Sequence, residues 1–230
     1  MPDLRPTAGG LAALALAKVD TTAARRRTAR KPDPQLRERR QAIALRDRAK
    51  HLAKTVDDWR REAPERSLDL WTARGIDAAD VIECLARRDG PFELTACSYA
   101  IGEASLRRIA VLREEGRLTR VVLLCDPLMF SSKRNAPAAA VRQVADELAA
   151  VPCHAKVYCL TPSSRRGVGY VVTGSANLTA NPRLEVVHLS AAHDVVNFYR
   201  TRLCELMAEQ HDKEANEGRG NARRNRLGQK

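Results

Sequence analysis

From Ser67 onward the apolar positions fall into short runs separated by turn residues, and the runs switch between two periods. Residues 78–88 place Val81, Ile82 and Leu85 on one helical face, with Asp77 ahead as an N-cap and Asp89-Gly90-Pro91 as a stop. Phe92 to Tyr99 reads as a buried strand. Glu103 to Glu115 reads as a helix closed by Gly116. Arg120 to Cys125, with Val-Val-Leu-Leu at its centre, is a second strong strand, and residues 136–150 predict a further helix. Strands follow at 154–160, 168–173 and 184–189, and Ser190 is placed to cap a last helix reaching about Gln210. This order predicts an α/β domain, a mixed sheet with helices on its faces.

Upstream the pattern weakens. Residues 34–62 predict a charged helix with a partial apolar stripe of Leu36, Ile43, Leu45, Leu52, Val56 and Trp59. Such a stripe suits packing on the domain, pairing with a partner chain or lying along nucleic acid, and a solvated helix is the plain alternative. Residues 1–33, rich in Ala, Arg, Thr and Pro, predict disorder. The expected organisation is a disordered basic N-terminus (1–33), a charged helical extension (34–66), the α/β domain (67–210) and a basic disordered tail (211–230).

Charge changes the picture more than bulk composition does. With 230 residues and 44% hydrophobic content the chain can build a core, and with aromatics at 4% that core rests on aliphatic residues. Of the net charge of +12, residues 1–66 carry +8, residues 67–210 carry +1 and residues 211–230 carry +3. Basic ends around a nearly neutral domain point to a polyanionic partner. Nucleic acid fits best, DNA ahead of RNA, because arginine dominates runs such as Arg25-Arg26-Arg27. An anionic membrane surface fits less well, since these segments lack Trp and Phe for insertion, and a solubilising tail is the bland reading.

No stretch approaches the roughly 20 apolar residues of a membrane span. Leu11 to Ala17 after Arg5 weakly imitates a signal peptide, but the arginine cluster that follows argues against export and for the cytoplasm. The six cysteines, Cys84, Cys97, Cys125, Cys153, Cys159 and Cys204, form no C-x-x-C and read as small buried hydrophobes in a reducing compartment. Cys153, His154, Cys159, His188 and His193 fit no standard zinc spacing, so no metal is expected.

The candidate chemistry lies in His154-Ala-Lys156 and Gly174-Ser175-Ala176-Asn177. Two residues apart on a strand, His154 and Lys156 face the same side. A histidine can attack phosphorus and can protonate a leaving oxygen. Lysine supplies a compact charge for phosphate, and Ser175 and Asn177 add neutral donors. The turn-rich segment 161–167 suits a hairpin that delivers the second motif beside the first. The plain alternative is a satisfied core histidine, an edge lysine and an ordinary Ser/Asn turn.

These residues resemble the phospholipase D superfamily signature, H-x-K followed by an aspartate after four residues and then G-S-x-N. His154, Lys156, Gly174, Ser175 and Asn177 match, whereas the aspartate position holds Thr161. That substitution spares the active-site groups and removes a residue of mainly structural role in the family. Glu185 resembles the glutamate that often orients the histidine there. The resemblance implies a phospholipase D-like mixed β-sheet flanked by helices. His154, Lys156, Asn177 and Glu185 would then be catalytic, with Lys156, Ser175 and Asn177 binding phosphate, and no metal or other cofactor is needed.

Family chemistry uses two histidines, and this chain carries a single H-x-K, so the resemblance implies a homodimer with the two sites meeting across a twofold axis. The expected activity is that of a single-motif nuclease of bacterial or prophage type, a phosphodiesterase acting through a phosphohistidine. A phospholipase or phosphatidyltransferase, and a non-catalytic DNA-binding protein of the same fold, are the two alternatives.

Overall fold

Among the described residues of the computed structural model, seven strands form one mixed sheet in the order β1-β7-β6-β5-β2-β3-β4. The strands are β1 (Leu68–Thr72), β2 (Phe92–Ser98), β3 (Leu118–Cys125), β4 (Glu147–Ala150), β5 (Lys156–Pro162), β6 (Tyr170–Gly174) and β7 (Glu185–Ser190). Helix α1 covers residues 49–62. It is followed by α2 (Ala78–Asp89), α3 (Glu103–Glu114), α4 (Ala138–Val144) and α5 (His193–Leu227). The structure describes residues 49–62, 67–72, 76–131, 136–179 and 184–227, with side chains to residue 215. All of them belong to one unit, Leu45–Lys230. The expected disordered segment 1–33 lies outside the described residues, as do Leu36, Ile43 and Leu45 of the helical stripe.

The strand pattern sorts side chains onto two faces. On one, Phe92, Leu94 and Ala96 of β2 join Val121 and Leu123 of β3, Tyr158 and Leu160 of β5, and Val187 and Leu189 of β7. Helices α1 to α4 cover that face with Val56, Ile82, Leu85, Ile109 and Val141 among others. On the other face Cys97, Val122, Leu124, Cys159 and Val171 meet Val196, Leu203 and Met207 of α5. Strands β2 and β3 are parallel, and β5 runs antiparallel to β2, so the start of β5 lies at the carboxyl end of β2.

Helix α1 packs on the domain. Leu52, Val56 and Trp59 are buried, and the Trp59 ring lies 6.4 Å from that of Tyr170. Helix α2 starts as its sequence predicts. The Asp77 carboxylate accepts from Asp80 N at 3.1 Å, and Asp77 N donates to the Asp80 carboxylate at 2.8 Å, a capping box. Ser105 Oγ and Arg108 of α3 donate to the other Asp77 oxygen at 2.7 and 2.8 Å, which ties α2 to α3.

Three local expectations are corrected. Residues 136–150 do not form one helix: α4 ends at Val144 and residues 147–150 are strand β4, parallel to β3. Asp146 makes the break, its N donating to Val121 O at 2.8 Å while its carboxylate accepts from Val121 N at 2.7 Å. Pairing with an open sheet edge thus overrides the helical propensity of Glu147, Leu148 and two alanines. The second correction is at the far end, where α5 continues through residues 211–227 rather than stopping near Gln210. It also begins at His193, and Ser190 instead belongs to β7, with its Oγ accepting from Ala192 N at 3.2 Å. The third is β1, a strand not expected from the sequence, which pairs antiparallel with β7.

Candidate active site

The first motif sits where β5 enters the sheet. His154 lies in the extended segment just before the strand, not within it as expected, and Lys156 is the first strand residue. Lys156 pairs with Ser98, the last residue of β2. Across the other ladder Val157 faces Thr173, so the chain running back to His154 and the chain running forward to Asn177 leave the sheet at the same end. The two motifs are therefore brought to one end by strand register alone.

His154 and Lys156 meet directly. Lys156 Nζ donates to His154 O at 2.7 Å and lies 2.9 Å from Nδ1 of the same ring. The ring itself is exposed, whereas Lys156 is only 7% exposed. Burial pushes the Lys156 ammonium below its ordinary pKa, opposed by the negative charge available at Cys153, Glu185 and Cys97. Tyr99, not foreseen from the sequence, completes this corner. Its ring centroid is 4.8 Å from that of His154 and 5.6 Å from Lys156 Nζ, within reach of a cation–π attraction.

The second motif follows β6. Gly174 has φ 145°, and a Cβ there would stand 2.1 Å from Val186 O, so only glycine fits this close approach to β7. Ser175 then bonds β7 three ways. Its N donates to Val186 O at 2.9 Å, its Oγ accepts from Val186 N at 3.0 Å, and its Oγ donates to the Glu185 carboxylate. Glu185 is only 8% exposed and feels Lys156 electrostatically. Its backbone carbonyl accepts from Thr72 Oγ1 at 3.2 Å, so β1 helps to fix it.

Asn177 is held by its backbone, with its carbonyl accepting from Ala78 N at 3.4 Å. Its side-chain Oδ1 is buried and has no hydrogen-bond partner among the described residues. Beneath the loop, Tyr158 OH donates to Ala176 O at 2.8 Å and Leu178 N donates to Ser98 Oγ at 3.3 Å. Ser98 and Tyr158 are supports that the sequence did not single out. Their signal was present only as polar groups in otherwise apolar strands.

Thr161, which stands at the departure from the motif, pairs with Glu93 near the opposite end of β5. It lies five positions along the strand from Lys156, about 17 Å of chain, so the substitution falls away from the site. Among the described residues, no three His, Cys, Asp or Glu side chains gather to hold a metal ion. Within the same residues, no helix is long and apolar enough to cross a membrane.

The sequence matches no protein-family model and no curated protein. Among solved structures, it is similar to Nuc from Salmonella typhimurium, described as a phospholipase D family member. The TM-score is 0.49 at 14% identity, over 63% of this chain and 95% of that one. It is similar to NucT from Helicobacter pylori, with TM-score 0.47 and 12% identity, over 63% of this chain and 98% of that one. It is also similar to TrmBL2, an archaeal chromatin protein described as binding DNA in a novel mode, with TM-score 0.42 and 13% identity, over 74% of this chain and 63% of that one.

Proposed function

We propose that this chain is a metal-independent phosphodiesterase of the phospholipase D kind, acting on nucleic acid from a homodimeric site. The observation that carries the reading is the direct His154–Lys156 pair, set at the same sheet end as the Ser175–Glu185 pair and Asn177. A core histidine would be buried and an edge lysine solvated, whereas here the histidine is exposed and the lysine buried beside it. An exposed nucleophile backed by a desolvated cation suits attack on an anionic diester.

The geometry suggests how the steps divide. Lys156 Nζ lies 2.9 Å from Nδ1 and 3.4 Å from Nε2 of the His154 ring, so the lysine sits against the ring edge that carries both nitrogens. When a phosphate enters, Lys156 turns to a non-bridging oxygen and frees the ring for attack. A free ring nitrogen of the neutral imidazole then attacks phosphorus as the bond to the leaving oxygen breaks, and His154 of the partner subunit, entering as the imidazolium, gives its proton to that oxygen. In the second step the partner's His154, now neutral, takes a proton from water, whose oxygen attacks phosphorus as the N–P bond breaks. Asn177, whose side-chain amide has an unpaired buried end, supplies a second hydrogen bond to the phosphoryl group after a half-turn. Glu185 positions the site through Ser175 and offsets the charge of Lys156. The basic ends favour nucleic acid over lipid.

The test is turnover of bis-p-nitrophenyl phosphate and of DNA and RNA, with EDTA present. His154→Ala should abolish cleavage and leave the fold intact, because an exposed side chain contributes within about 0.5 kcal/mol to stability. Near wild-type turnover in this variant would sink the assignment, and loss of activity with chelator would point to a metal enzyme. DNA binding without any diester turnover would favour a non-catalytic binder. Light scattering should give a homodimer, and an active monomer would overturn the shared site.

A further inference from the structure

Cys97 and Cys153 lie far apart in sequence yet their sulfurs are 3.1 Å apart. Cys97 is buried in β2, facing α5, and is the residue before Ser98. Cys153 is half-buried and is the residue before His154. We propose that these two thiols form a reversible disulfide that displaces His154, so that the site is switched off by oxidation. Its effect on turnover rests on the phosphodiesterase reading, but formation of the bond does not.

Three features support it. The first is contact: both sulfurs already touch, so no strand has to move for the bond to form. The second is an asymmetry of roles. The hydrogen bond between the two thiols holds Cys153 down at about 7, while that same hydrogen bond and burial push Cys97 up. Cys153 is thus the sulfur that attacks and Cys97 the one that resolves. The third is position. Cys153 N donates to the Asp126 carboxylate at 3.1 Å, and the ladder from Val157 holds Cys97 from the other side. The short stretch 153–155 therefore has little slack. Closing the sulfurs from 3.1 Å to a bond of about 2.05 Å draws this stretch inward by about 1 Å. Misplacement of that size at a catalytic group can cost on the order of a hundredfold in rate.

The chemistry balances with a hydroperoxide as oxidant. The Cys153 thiolate attacks one peroxide oxygen, the O–O bond breaks, and the other oxygen leaves as water after protonation. The Cys97 sulfur then displaces the sulfenic hydroxyl, which leaves as a second water with the Cys97 proton. Two thiols and one hydrogen peroxide give one disulfide and two waters, and a dithiol reverses the change.

The experiment treats the full chain with hydrogen peroxide, alkylates the remaining thiols, and maps the peptides without reduction. A Cys97–Cys153 link with Cys84, Cys125, Cys159 and Cys204 still alkylated is the expected result. In parallel, the His154 ring resonances should shift on oxidation of the wild type, return with dithiothreitol, and stay put in Cys153→Ala. Diester turnover should fall at least tenfold in the oxidised wild type and remain unchanged by peroxide in Cys153→Ala. Two free thiols after peroxide, or a link that leaves the His154 resonances in place, would overturn the proposal. A link with shifted resonances in a protein that never cleaves diesters would uphold the switch and reject the phosphodiesterase reading instead.

Discussion

Replacing Lys156 by methionine separates a catalytic lysine from a structural one, because the two roles move stability and rate in opposite ways. Methionine keeps the unbranched length and fills the buried stem, and it removes only the charge and the donors. In the folded protein the ammonium gains hydrogen bonds at 2.7 and 2.9 Å, both to His154, and loses most of its hydration. Its pKa is lowered by that burial, so the charged form is strained relative to the unfolded chain. The unfolded lysine, titrating at about 10.4, holds its proton to higher pH than the folded one. Below the folded pKa the penalty is present in full. As pH rises through the folded pKa the folded lysine sheds its proton first, and stability is regained.

Lys156→Met should therefore leave stability at neutral pH equal to wild type or somewhat higher, and its advantage should shrink as pH rises into the alkaline range. Its effect on catalysis is the reverse. A preorganised donor to the developing phosphoryl charge is worth about 2.7–4 kcal/mol, so kcat should fall about 10²–10³-fold. Urea denaturation at several pH values and turnover of bis-p-nitrophenyl phosphate measure the two sides. Wild-type kcat would refute the role in catalysis. A loss of more than about 2 kcal/mol of stability would show that the two bonds to His154 are a structural tie instead.

Two further outcomes test the parts around the site. Trp59→Ala, which removes the ring that α1 lays beside Tyr170, should destabilise the domain by about 3–5 kcal/mol in urea melts, and a change under 1 kcal/mol would mean that α1 is not docked. Deleting residues 1–33 should weaken DNA binding and flatten the slope of log K against log salt, with turnover of a small diester unchanged. An unchanged slope would remove the charge argument for nucleic acid.

Much of the domain was legible because its strands are apolar runs bounded by clear turn residues, and because Asp77 and Gly116 mark helix ends by their own chemistry. The parts that were not legible depend on partners distant in sequence. Strand β4 reads as helix until β3 offers it an edge, and β1 is five residues whose alternation of Leu68, Asp69, Leu70 and Trp71 gains meaning only beside β7. The two motifs were legible as a pair, but Tyr99 and Cys153 were not. Neither belongs to a spacing, and each matters only through a contact made across the sheet end. The Glu185 carboxylate holds Ser175 and lies close enough to influence Lys156, contacts that no spacing in the sequence announces.

The pairing of the first strand with the last sets the order in which the molecule can be finished. Thr72 and the Glu185 carbonyl that it bonds are 113 residues apart. At translation rates of about 5–20 residues per second, β1 waits about 6–23 s for its neighbour to be made. During that time it is a short strand with no ladder, carrying Trp71, which even in the finished fold is 71% exposed. Contacts of such long range form late, since their loop entropy must be met before they return any stability. Thr72 grips the backbone of Glu185, so this closure adds a hold on the residue whose carboxylate binds Ser175. The nascent chain can thus assemble most of its sheet while the end that carries the two motifs is still open, and that end is completed with the ladder between β1 and β7.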